Sequence, residues 1–424
     1  MDTKLQSIRG MRDYLPDETE IFRKIEDCLI SVLKTHSIKE IKLPIIEYTD
    51  LFYKTIGIGT DILEKEMYTF YNKGNKSITL RPEGTAGCVR SALQNNLFSR
   101  FLEHKIWYLG PMFRCERPQK GRYRQFYQLG IEIFGLKGIA IELELLIIAY
   151  KWWKKLGIQN LIYLEINSIG SCIERENFKK VLINFFKKYE SKFDEEMKKT
   201  LSNNPLRLLD SKKPLIQSII HYAPKLFDYL YDDTKIQFQE LCSLLNLMNI
   251  PFIVNKNLIR GLDYYNNMVF EWKIHKEQSQ NAICAGGRYD NLVEQLGGSH
   301  VPALGCAVGL DRLYLLIKQS KIFVNTNDNL DIIIVFLDQK YIAYSFKIAE
   351  IIRNEFTKLK VKIDFKENKL TKKIQNANKC LTKFMLIIGK KEFEQNAIII
   401  KNLISHTQIL ISIEQLTSYL KTVL

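Results

Sequence analysis

The segment QFYQLGIEIFG, residues 125–135, carries two polar side chains on one face of a strand that is otherwise apolar. Alternate side chains of a strand point to opposite faces, so Gln128 and Glu132 share a face and Gly130 lies between them. Such a face is typical either of the solvent side of an antiparallel strand or of the floor of a ligand pocket, where Gly130 would leave room for the ligand. The segment alone leaves both interpretations open.

A second stretch, KIWYLGPMFRCERPQ, adds charged groups to the same surface. Residues 105–116 and 125–134 are predicted to be two strands of an antiparallel hairpin, joined by the basic loop RPQKGRYR. If the strands pair, one face gathers Arg114, Glu116, Phe126, Gln128 and Glu132. Arg114 and Glu116 alone could form a surface ion pair worth ~0–1 kcal/mol. The whole group is costly to bury without a ligand, so it predicts a site for a polar ligand that carries both an anion and N–H groups.

Several recognisable signals are absent from the sequence. Eight scattered cysteines without CxxC and six histidines without HxxxH argue against a disulfide framework and against a zinc site. GxxxxGK[ST] is missing, which excludes a P-loop. No apolar run approaches the ~18–20 residues of a membrane span, and the first residues, MDTKLQSIRG, lack the apolar stretch of a secretory signal. We therefore expect a cytoplasmic protein with no membrane segment.

Charge and sequence texture indicate how the chain is organised. Its 424 residues suffice for two or three domains, and the net charge of +15 is typical of a polyanion binder, although a lysine-rich genome would also explain it. Residues 171–250 are charged, helix-periodic and poor in glycine, which predicts a helical insertion. After a polar linker near 319–330, residues 331–424 alternate strands and helices and hold sixteen Lys and Arg against nine Asp and Glu. This basic segment favours nucleic-acid binding.

Three motifs resemble those of class II aminoacyl-tRNA synthetases. FRCERPQKGRYRQFYQLGIEIFG resembles motif 2, ALGCAVGLDRL resembles motif 3, and IKLPIIEYTDLF resembles motif 1, which implies a homodimer. Four further stretches narrow the resemblance to the histidyl-tRNA synthetase family, namely RGMRDYLP, NPLRLLDSK, LIRGLDYYNNMVFEW and AGGRYDNLV. The resemblance spans nearly the whole chain, with the motifs in the expected order.

The resemblance implies a mixed α/β (α+β) fold. Its antiparallel-sheet catalytic domain would comprise residues 1–170, with motifs 1 and 2, and residues 251–324, with RGLDYY and motif 3. The helical insertion 171–250 would lie between them, and residues 331–424 would be the α/β anticodon-binding domain. The implied reaction is ATP-dependent ligation of L-histidine to tRNA(His) through a histidyl-adenylate. Mg²⁺ would bridge the ATP phosphates, with no metal held by a cluster of protein ligands.

The same resemblance implies roles for individual residues. Arg114 and Arg260 would be the catalytic groups on the α-phosphate, because positive charge is needed where negative charge develops. Phe126 and Arg312 would hold the two faces of the adenine, and Glu132 and Tyr265 would contact the imidazole. The ATP-binding set would be Arg114, Glu116, Arg122, Phe126 and Arg312. The histidine-binding set would be Glu83, Gly84, Thr85, Gln128, Glu132, Tyr264 and Tyr265.

Alternatives stay open at this point. A histidine-binding regulatory subunit of ATP phosphoribosyltransferase shares the catalytic fold, although it would be expected to lack the anticodon domain. A class II synthetase for another amino acid is a second alternative. Locally, Glu83 could be only a first-turn acid of a helix, and Arg260 could pair with Asp263 to shape a turn. Gly286 and Gly287 could mark only a tight turn.

Overall fold

The structure is a computed structural model that describes residues 5–57, 60, 62–100, 103–211, 213–275, 281–322 and 330–423. The chain divides into two compact units, residues 1–324 and 325–424, and each is described by itself. Most of the expected linker, at residues 323–329, lies outside the described residues. Among the residues that are described, no helix is long and apolar enough to cross a membrane.

Strands and helices are interleaved along the first unit. Its strands are β1 Lys39–Glu40, β2 Ile46–Tyr48, β3 Tyr68–Tyr71, β4 Ser77–Leu80, β5 His104–Phe113, β6 Gln125–Phe134, β7 Ile162–Ser168, β8 Phe252–Val254, β9 Asn266–Ile274, β10 Ala282–Arg288 and β11 Ala303–Gly309. Its α-helices are α1 Pro16–Thr35, α2 Thr49–Ile56, α3 Thr85–Gln94, α4 Leu97–Arg100, α5 Ile139–Lys155, α6 Cys172–Lys187, α7 Glu195–Asn203, α8 Pro214–Ile220, α9 Asp232–Leu247, α10 Leu292–Gln295 and α11 Leu310–Ser320. Short 3-10 or π turns cover Ile62–Glu66, Gln159–Leu161, Glu190–Lys192, Pro205–Asp210 and Leu226–Tyr229.

One long sheet forms the centre of this unit, with the strand order β1-β5-β6-β11-β10-β9-β7-β8. The strands from β5 to β7 in this order pair antiparallel, whereas β1 and β8 join the two edges in parallel. A smaller antiparallel sheet has the order β2-β4-β3. The antiparallel-rich sheet confirms the predicted fold class.

The predicted hairpin is present, with a shorter first strand than expected. β5 and β6 pair along their whole length, with Tyr108 opposite Gly130. β5 ends at Phe113 rather than at residue 116. The Arg114 N–H still bonds to the Arg124 carbonyl at 2.9 Å, and the chain then leaves the sheet. The charged residues after Phe113 therefore lie in the loop between the strands. Their directions are set by the loop and do not follow from strand alternation.

The core behind the sheet explains why β6 alternates. Leu129, Ile131 and Ile133 are fully buried and belong to the core cluster that α1, α5 and α11 also form. Complete burial of an aliphatic side chain stabilises the fold by about 1.5–3 kcal/mol, so this face fixes the register of the strand. α5 contributes the fully buried Trp152 and Trp153 to the same cluster. On the opposite face this strand carries Gln128 and Glu132, and Phe134 at its end joins a second apolar cluster.

Gly286 and Gly287 lie within β10 and not in a turn, so the tight-turn interpretation is wrong. A Cβ atom on Gly286 would lie 2.2 Å from the carbonyl oxygen of Gly305 on β11. One on Gly287 would lie 2.5 Å from the carbonyl oxygen of Met268 on β9. Both positions require glycine because the neighbouring backbones approach so closely.

Residues 171–250 fold mainly as helices, as the sequence predicts. A capping box begins α6, in which the Glu174 N–H donates to Ser171 Oγ at 3.3 Å and the Ser171 N–H donates to the Glu174 carboxylate at 2.8 Å. Asp194 caps α7 by accepting a hydrogen bond from the Met197 N–H at 2.8 Å. The buried apolar side chains of α6 and α7 include Phe178, Leu182, Phe186, Met197 and Leu201. They share one core cluster with residues of β9 and β11, so this segment packs on the rest of the first unit.

The second unit is a small α/β fold. Its strands are β12 Ile332–Phe336, β13 Val361–Asp364, β14 Phe384–Ile388, β15 Ala397–Asn402 and β16 Gln408–Ser412, in the order β13-β12-β14-β15-β16. Its α-helices are α12 Ile342–Glu355, α13 Leu370–Lys379, α14 Lys390–Glu394 and α15 Ile413–Val423, with a 3-10 turn at Gln339–Tyr341. β12 and β14 are buried along their whole lengths, as expected for inner strands covered on both faces.

Candidate active site

A cavity of about 240 Å³ opens on the polar face of the central sheet in the first unit. Most of the residues predicted from the sequence line it, namely Glu83, Thr85, Arg114, Glu116, Arg122, Phe126, Gln128, Arg260, Tyr264, Tyr265 and Arg312. The remaining two, Gly84 and Glu132, contact lining residues from behind. The fold thus gathers in one place residues that the sequence spreads from position 83 to position 312.

The floor of the cavity is a row of small residues that crosses the sheet. The strand registers align Gly130 of β6, Ala307 of β11 and Ala285 of β10. Tyr108 of β5 lies at one end of the row and Glu271 of β9 at the other. Ala285 and Ala307 line the cavity directly. The space for a ligand therefore comes mainly from the small side chains of β10 and β11.

The space above Gly130 is not open, which corrects the sequence-based expectation. A Cβ atom at residue 130 would lie 2.2 Å from Cζ of Tyr108, and one at Gly84 would also lie 2.2 Å from that atom. Tyr108 faces Gly130 across the strand pair, and its ring leans over the residue that has no side chain. Gly130 and Gly84 therefore leave room for Tyr108, a cavity-lining phenol that the sequence analysis missed.

Backbone carbonyls hold two cavity arginines in place. Arg114 Nε donates to the Pro82 carbonyl at 3.0 Å, and Arg312 Nε donates to the Gly121 carbonyl at 2.9 Å. Burial lowers the pKa of both guanidinium groups. For Arg312, the neighbouring positive charges of Arg114 and Arg122 add to burial and lower the pKa to about 10. A bound anion would relieve this repulsion, so the wall is suited to phosphate.

At the loop end of the hairpin, an aromatic ring and further ion pairs belong to the cavity wall. The guanidinium carbon of Arg114 lies 5.3 Å from the centroid of the Phe126 ring, within cation–π range. Arg122 forms an ion pair with Glu116, and its Nη2 lies 3.5 Å from Glu66 Oε1. These contacts orient the predicted ATP-binding side chains within the cavity wall.

Arg260 pairs with Glu271 and not with Asp263. Its Nη1 donates to Glu271 Oε1, and its guanidinium carbon lies 5.7 Å from the centroid of the Tyr265 ring. The side chain of Asn204 instead donates to Asp263, so the pairing considered from the sequence is wrong. Glu271 was not predicted from the sequence, although alternation along β9 already puts this carboxylate on the face away from the core.

Glu83 both caps a helix and lines the cavity. Its carboxylate accepts hydrogen bonds from the backbone N–H groups of Thr85 at 2.7 Å and Ala86 at 2.8 Å, at the start of α3. Burial raises the pKa of Glu83, and these hydrogen bonds and Arg114 oppose that rise. The interpretation of Glu83 as only a helix-terminal acid is therefore incomplete.

Glu132 lies behind the cavity wall, 1% exposed. Thr85 Oγ1 donates to its Oε1 at 2.7 Å, and the Tyr289 hydroxyl donates to its Oε2. Burial raises the pKa of Glu132 to about 8, and the two hydrogen bonds oppose the rise. Tyr289 stands in the AGGRYDNLV stretch but no role was predicted for it, because only the folded chain brings it from the end of β10 to Glu132.

Two neighbouring tyrosines form another part of the wall. The ring centroids of Tyr264 and Tyr265 are 4.7 Å apart, and Tyr289 lies 5.5 Å from Tyr264. Burial raises the pKa of Tyr265 to about 12, although the positive charge of Arg260 lowers it. Burial also raises the pKa of Tyr264. Both phenols are neutral at physiological pH and can donate or accept hydrogen bonds.

The N-terminal RGMRDYLP segment supports the helix that carries Arg312. The Tyr14 hydroxyl donates to Asp311 Oδ1 at 2.7 Å, and the Tyr127 N–H donates to Asp311 Oδ2 at 2.8 Å. Arg12 lies 3.7 Å from the same carboxylate. Asp311 therefore joins three segments next to Arg312. These contacts explain why a carboxylate is buried at the start of α11.

The cavity combines several arginines with neutral phenols over a floor of small residues. This arrangement can bind a polyanion beside a polar organic group and stabilise negative charge that develops between them. In the described part of the chain, no group of three or more His, Cys, Asp or Glu side chains is placed to hold a metal ion.

Comparison with known proteins gives a consistent result. A model of the family described as histidyl-tRNA synthetase matches residues 10–313, and a model of the anticodon binding domain matches residues 331–423. The chain is 48% identical to a histidine–tRNA ligase of Buchnera aphidicola subsp. Schizaphis graminum, covering 95% of this chain and 94% of the relative. It is 46% identical to that of Buchnera aphidicola subsp. Baizongia pistaciae, covering 95% of each. The crystal structure of apo S. aureus histidyl-tRNA synthetase aligns with a TM-score of 0.82 at 30% identity, covering 98% of this chain and 99% of that one.

Proposed function

This chain belongs to the histidyl-tRNA synthetase family, and from that premise we propose how its residues perform the family reaction. The protein is a histidine–tRNA ligase that joins L-histidine to tRNA(His) in an ATP-dependent reaction through a histidyl-adenylate, with release of AMP and diphosphate. The assignment of individual residues rests on one observation above all. The cavity brings the arginines of motif 2, RGLDYY and motif 3 next to a pocket of buried carboxylates and phenols.

The amino acid occupies the end of the cavity formed by Glu83, Thr85, Gln128 and the tyrosines. Glu83 and Gln128 hold the α-amino group, since a buried carboxylate and an amide oxygen are suited to accept from an ammonium group. The imidazole lies by Tyr264 and Tyr265, with Glu132 behind Thr85 as the carboxylate to which the ring N–H is directed. Gly84 contributes by leaving space for Tyr108.

The triphosphate lies along the arginines. Arg114 and Arg260 contact the α-phosphate, where the attack of the histidine carboxylate builds negative charge at phosphorus. Fixed guanidinium groups stabilise that charge without reorganising during the reaction. Diphosphate departs as the carboxylate–phosphorus bond forms. Arg122 provides a further phosphate contact from the hairpin loop.

The adenine lies between Phe126 and Arg312, with Glu116 accepting from its amino group. ATP would replace part of the contact between Phe126 and Arg114 and part of the ion pair between Glu116 and Arg122. Rings and guanidinium planes both stack on a base, which supports this assignment.

Mg²⁺ would enter this cavity together with ATP. Such an ion usually keeps several waters and takes one or two carboxylates in addition to substrate phosphates. Glu271, which lines the cavity beside Arg260, is a suitable protein ligand for it. Mg²⁺ would supply further positive charge to the departing diphosphate.

The other parts of the chain are assigned by position. Residues 1–170 and 251–324 form the catalytic domain, 171–250 the insertion, and 331–424 the domain that binds the anticodon of the tRNA. A homodimer through the motif 1 region is supported by exposed apolar side chains there, among them Ile45, Ile46 and Tyr48. A cytoplasmic location is supported by eight cysteines that are all free thiols.

A regulatory subunit of ATP phosphoribosyltransferase is less well supported. The relatives that match at 94% and 95% of their length are histidine–tRNA ligases, and the basic segment 331–423 matches an anticodon-binding model. Such a subunit would need histidine binding alone. The cavity arginines would then have no substrate.

Charging of tRNA tests the proposal. Purified protein with ATP and labelled histidine should esterify tRNA(His), and Arg114→Ala should lower the rate by at least about 100-fold, the typical cost of one preorganised donor. Arg23→Ala, on the 71% exposed arginine of α1, is the matched control and should charge at the wild-type rate. Equal charging by Arg114→Ala and Arg23→Ala would overturn the residue assignment.

A further inference from the structure

The Asp263 carboxylate lies where three segments of the first unit meet. The side-chain Nδ2 of Asn204 donates to both of its oxygens, at 3.1 and 3.2 Å. The backbone N–H of Asp263 donates to the Ile56 carbonyl, at the end of α2, at 3.3 Å. Gly57, with φ +92°, packs directly on the carboxylate, and a Cβ atom there would lie 2.5 Å from Oδ2. Asp263 thus occupies a tightly defined position.

Asn204 brings the helical segment 171–250 into this junction. It directly follows α7 and precedes the 3-10 turn Pro205–Asp210, so its backbone is fixed on both sides. Its Oδ1 is buried and accepts no hydrogen bond from any described residue. The amide is therefore oriented by its two bonds to Asp263.

The electrostatic partners of Asp263 come from the same segment. Burial raises the pKa of Asp263, and the groups that oppose this rise are Arg207, Asn204, Lys179 and Arg175. All four belong to residues 171–250. Arg175 Nη1 also reaches the Asp263 carbonyl at 3.5 Å. Ionised Asp263 is thus stabilised from the insertion and not from the sheet.

The junction is directly connected to the reaction site. Asp263 precedes Tyr264, whose ring packs on Tyr265 and Tyr289, and Tyr289 in turn donates to Glu132. Arg260 lies three residues before Asp263 in the same irregular stretch, outside any strand. A shift of Asp263 would therefore displace both the arginine and the tyrosine that line the cavity.

We propose that Asn204 and Asp263 are positioning residues through which the insertion holds residues 260–265 in the reactive arrangement. The inference rests on the proposed function of Arg260 and Tyr264. It adds a role in adenylate formation for a segment whose described residues contribute no side chain to the lining of that cavity. Without the Asn204–Asp263 contact, neither Arg260 nor the tyrosines at the histidine end of the cavity would be held in position by the insertion.

Diphosphate exchange with full-length protein tests the proposal. Asn204→Ala should lower kcat/KM for histidine by about 10-fold or more, the effect of losing a hydrogen bond to a charged group. KM for histidine should rise and kcat should fall, while KM for ATP stays within about twofold. A loss of folded protein alone would lower kcat and leave KM for histidine unchanged. Asn203→Ala, at the exposed neighbouring position, is the matched control and should behave like wild type.

A swapped pair separates positioning from loss of stability. The double variant Asn204→Asp with Asp263→Asn keeps an amide-to-carboxylate hydrogen bond and leaves the carboxylate among the same cations. It should recover most of the activity that either single change loses. The proposal is overturned if Asn204→Ala retains wild-type kinetic constants, or if the swapped pair is no better than Asp263→Asn alone. Absence of histidine-dependent exchange in the wild-type protein would instead refute the proposed function.

Discussion

The Arg260 guanidinium and the Glu271 carboxylate form an ion pair at the edge of the cavity, and their side chains are 18% and 14% exposed. Burial would lower the pKa of Arg260, but Glu271 and the neighbouring phenols raise it above its ordinary value. The arginine therefore stays charged inside the protein. Its partner comes from β9, so the guanidinium is held by an inner strand of the central sheet.

Arg260→Ala should lower kcat for adenylate formation by about 10²–10³, because a preorganised donor to the α-phosphate is removed. KM for ATP and histidine should change less. Arg260→Lys should recover little, since an ammonium group lacks the two parallel N–H donors. Diphosphate exchange gives kcat and KM for both variants. A large fall in melting temperature with unchanged kcat of the folded fraction would make Arg260 a structural residue.

Glu132→Gln should raise KM for histidine by about 10-fold or more and leave KM for ATP nearly unchanged. The reason is that Glu132 lies at the histidine end of the cavity, behind Thr85, where an imidazole N–H would favour the ionised carboxylate, a form that the amide cannot adopt. Steady-state exchange at varied histidine and ATP gives both constants. An unaltered KM for histidine would reject the role of Glu132 in recognition.

The same substitution should change how stability depends on pH. The pKa of Glu132 is about 8 in the folded protein against an ordinary value of 4.5. Between these values the folded chain holds a proton that the unfolded chain has released, so its stability falls as pH rises, by up to about 1.4 kcal/mol per pH unit. The Glu132→Gln variant has no titrating group at this position, so its stability does not have this dependence on pH. Its melting temperature relative to wild type should therefore rise from pH 5 to pH 8, and parallel curves would contradict the raised pKa.

Removal of the second unit should separate adenylate formation from the transfer of histidine to tRNA. The chain divides at residue 324, so a fragment 1–324 should retain adenylate formation and charge tRNA poorly. The salt dependence of tRNA binding should also become less steep, because phosphate contacts of the basic segment are lost. Charging at low tRNA concentration compares fragment and full-length protein. Equal charging would show that residues 331–424 serve another purpose.

The sequence predicted those features that depend on short-range periodicity. The alternation of β6 correctly places Leu129, Ile131 and Ile133 in the core and Glu132 away from it. The hairpin of β5 and β6 follows from the same rule.

Features that depend on neighbours across strands were missed. Tyr108 fills the space above Gly130, which alternation in a single strand does not reveal. Glu271 is the partner of Arg260 because β9 passes beside residue 260 in the folded chain, whereas Asp263 is nearer in sequence. Spacing in the sequence predicts an ion pair with the nearest opposite charge. The packing of the folded chain determines which charges are actually in contact.

Amino-acid-dependent exchange of labelled diphosphate into ATP, run separately with each of the twenty amino acids, tests the proposed activity most directly. It measures adenylate formation without tRNA, so it isolates the chemistry of the cavity. We predict exchange with histidine and only background with the other amino acids. Exchange that depends on a different amino acid, or histidine binding without any exchange, would contradict the assignment of this cavity to histidyl-adenylate formation.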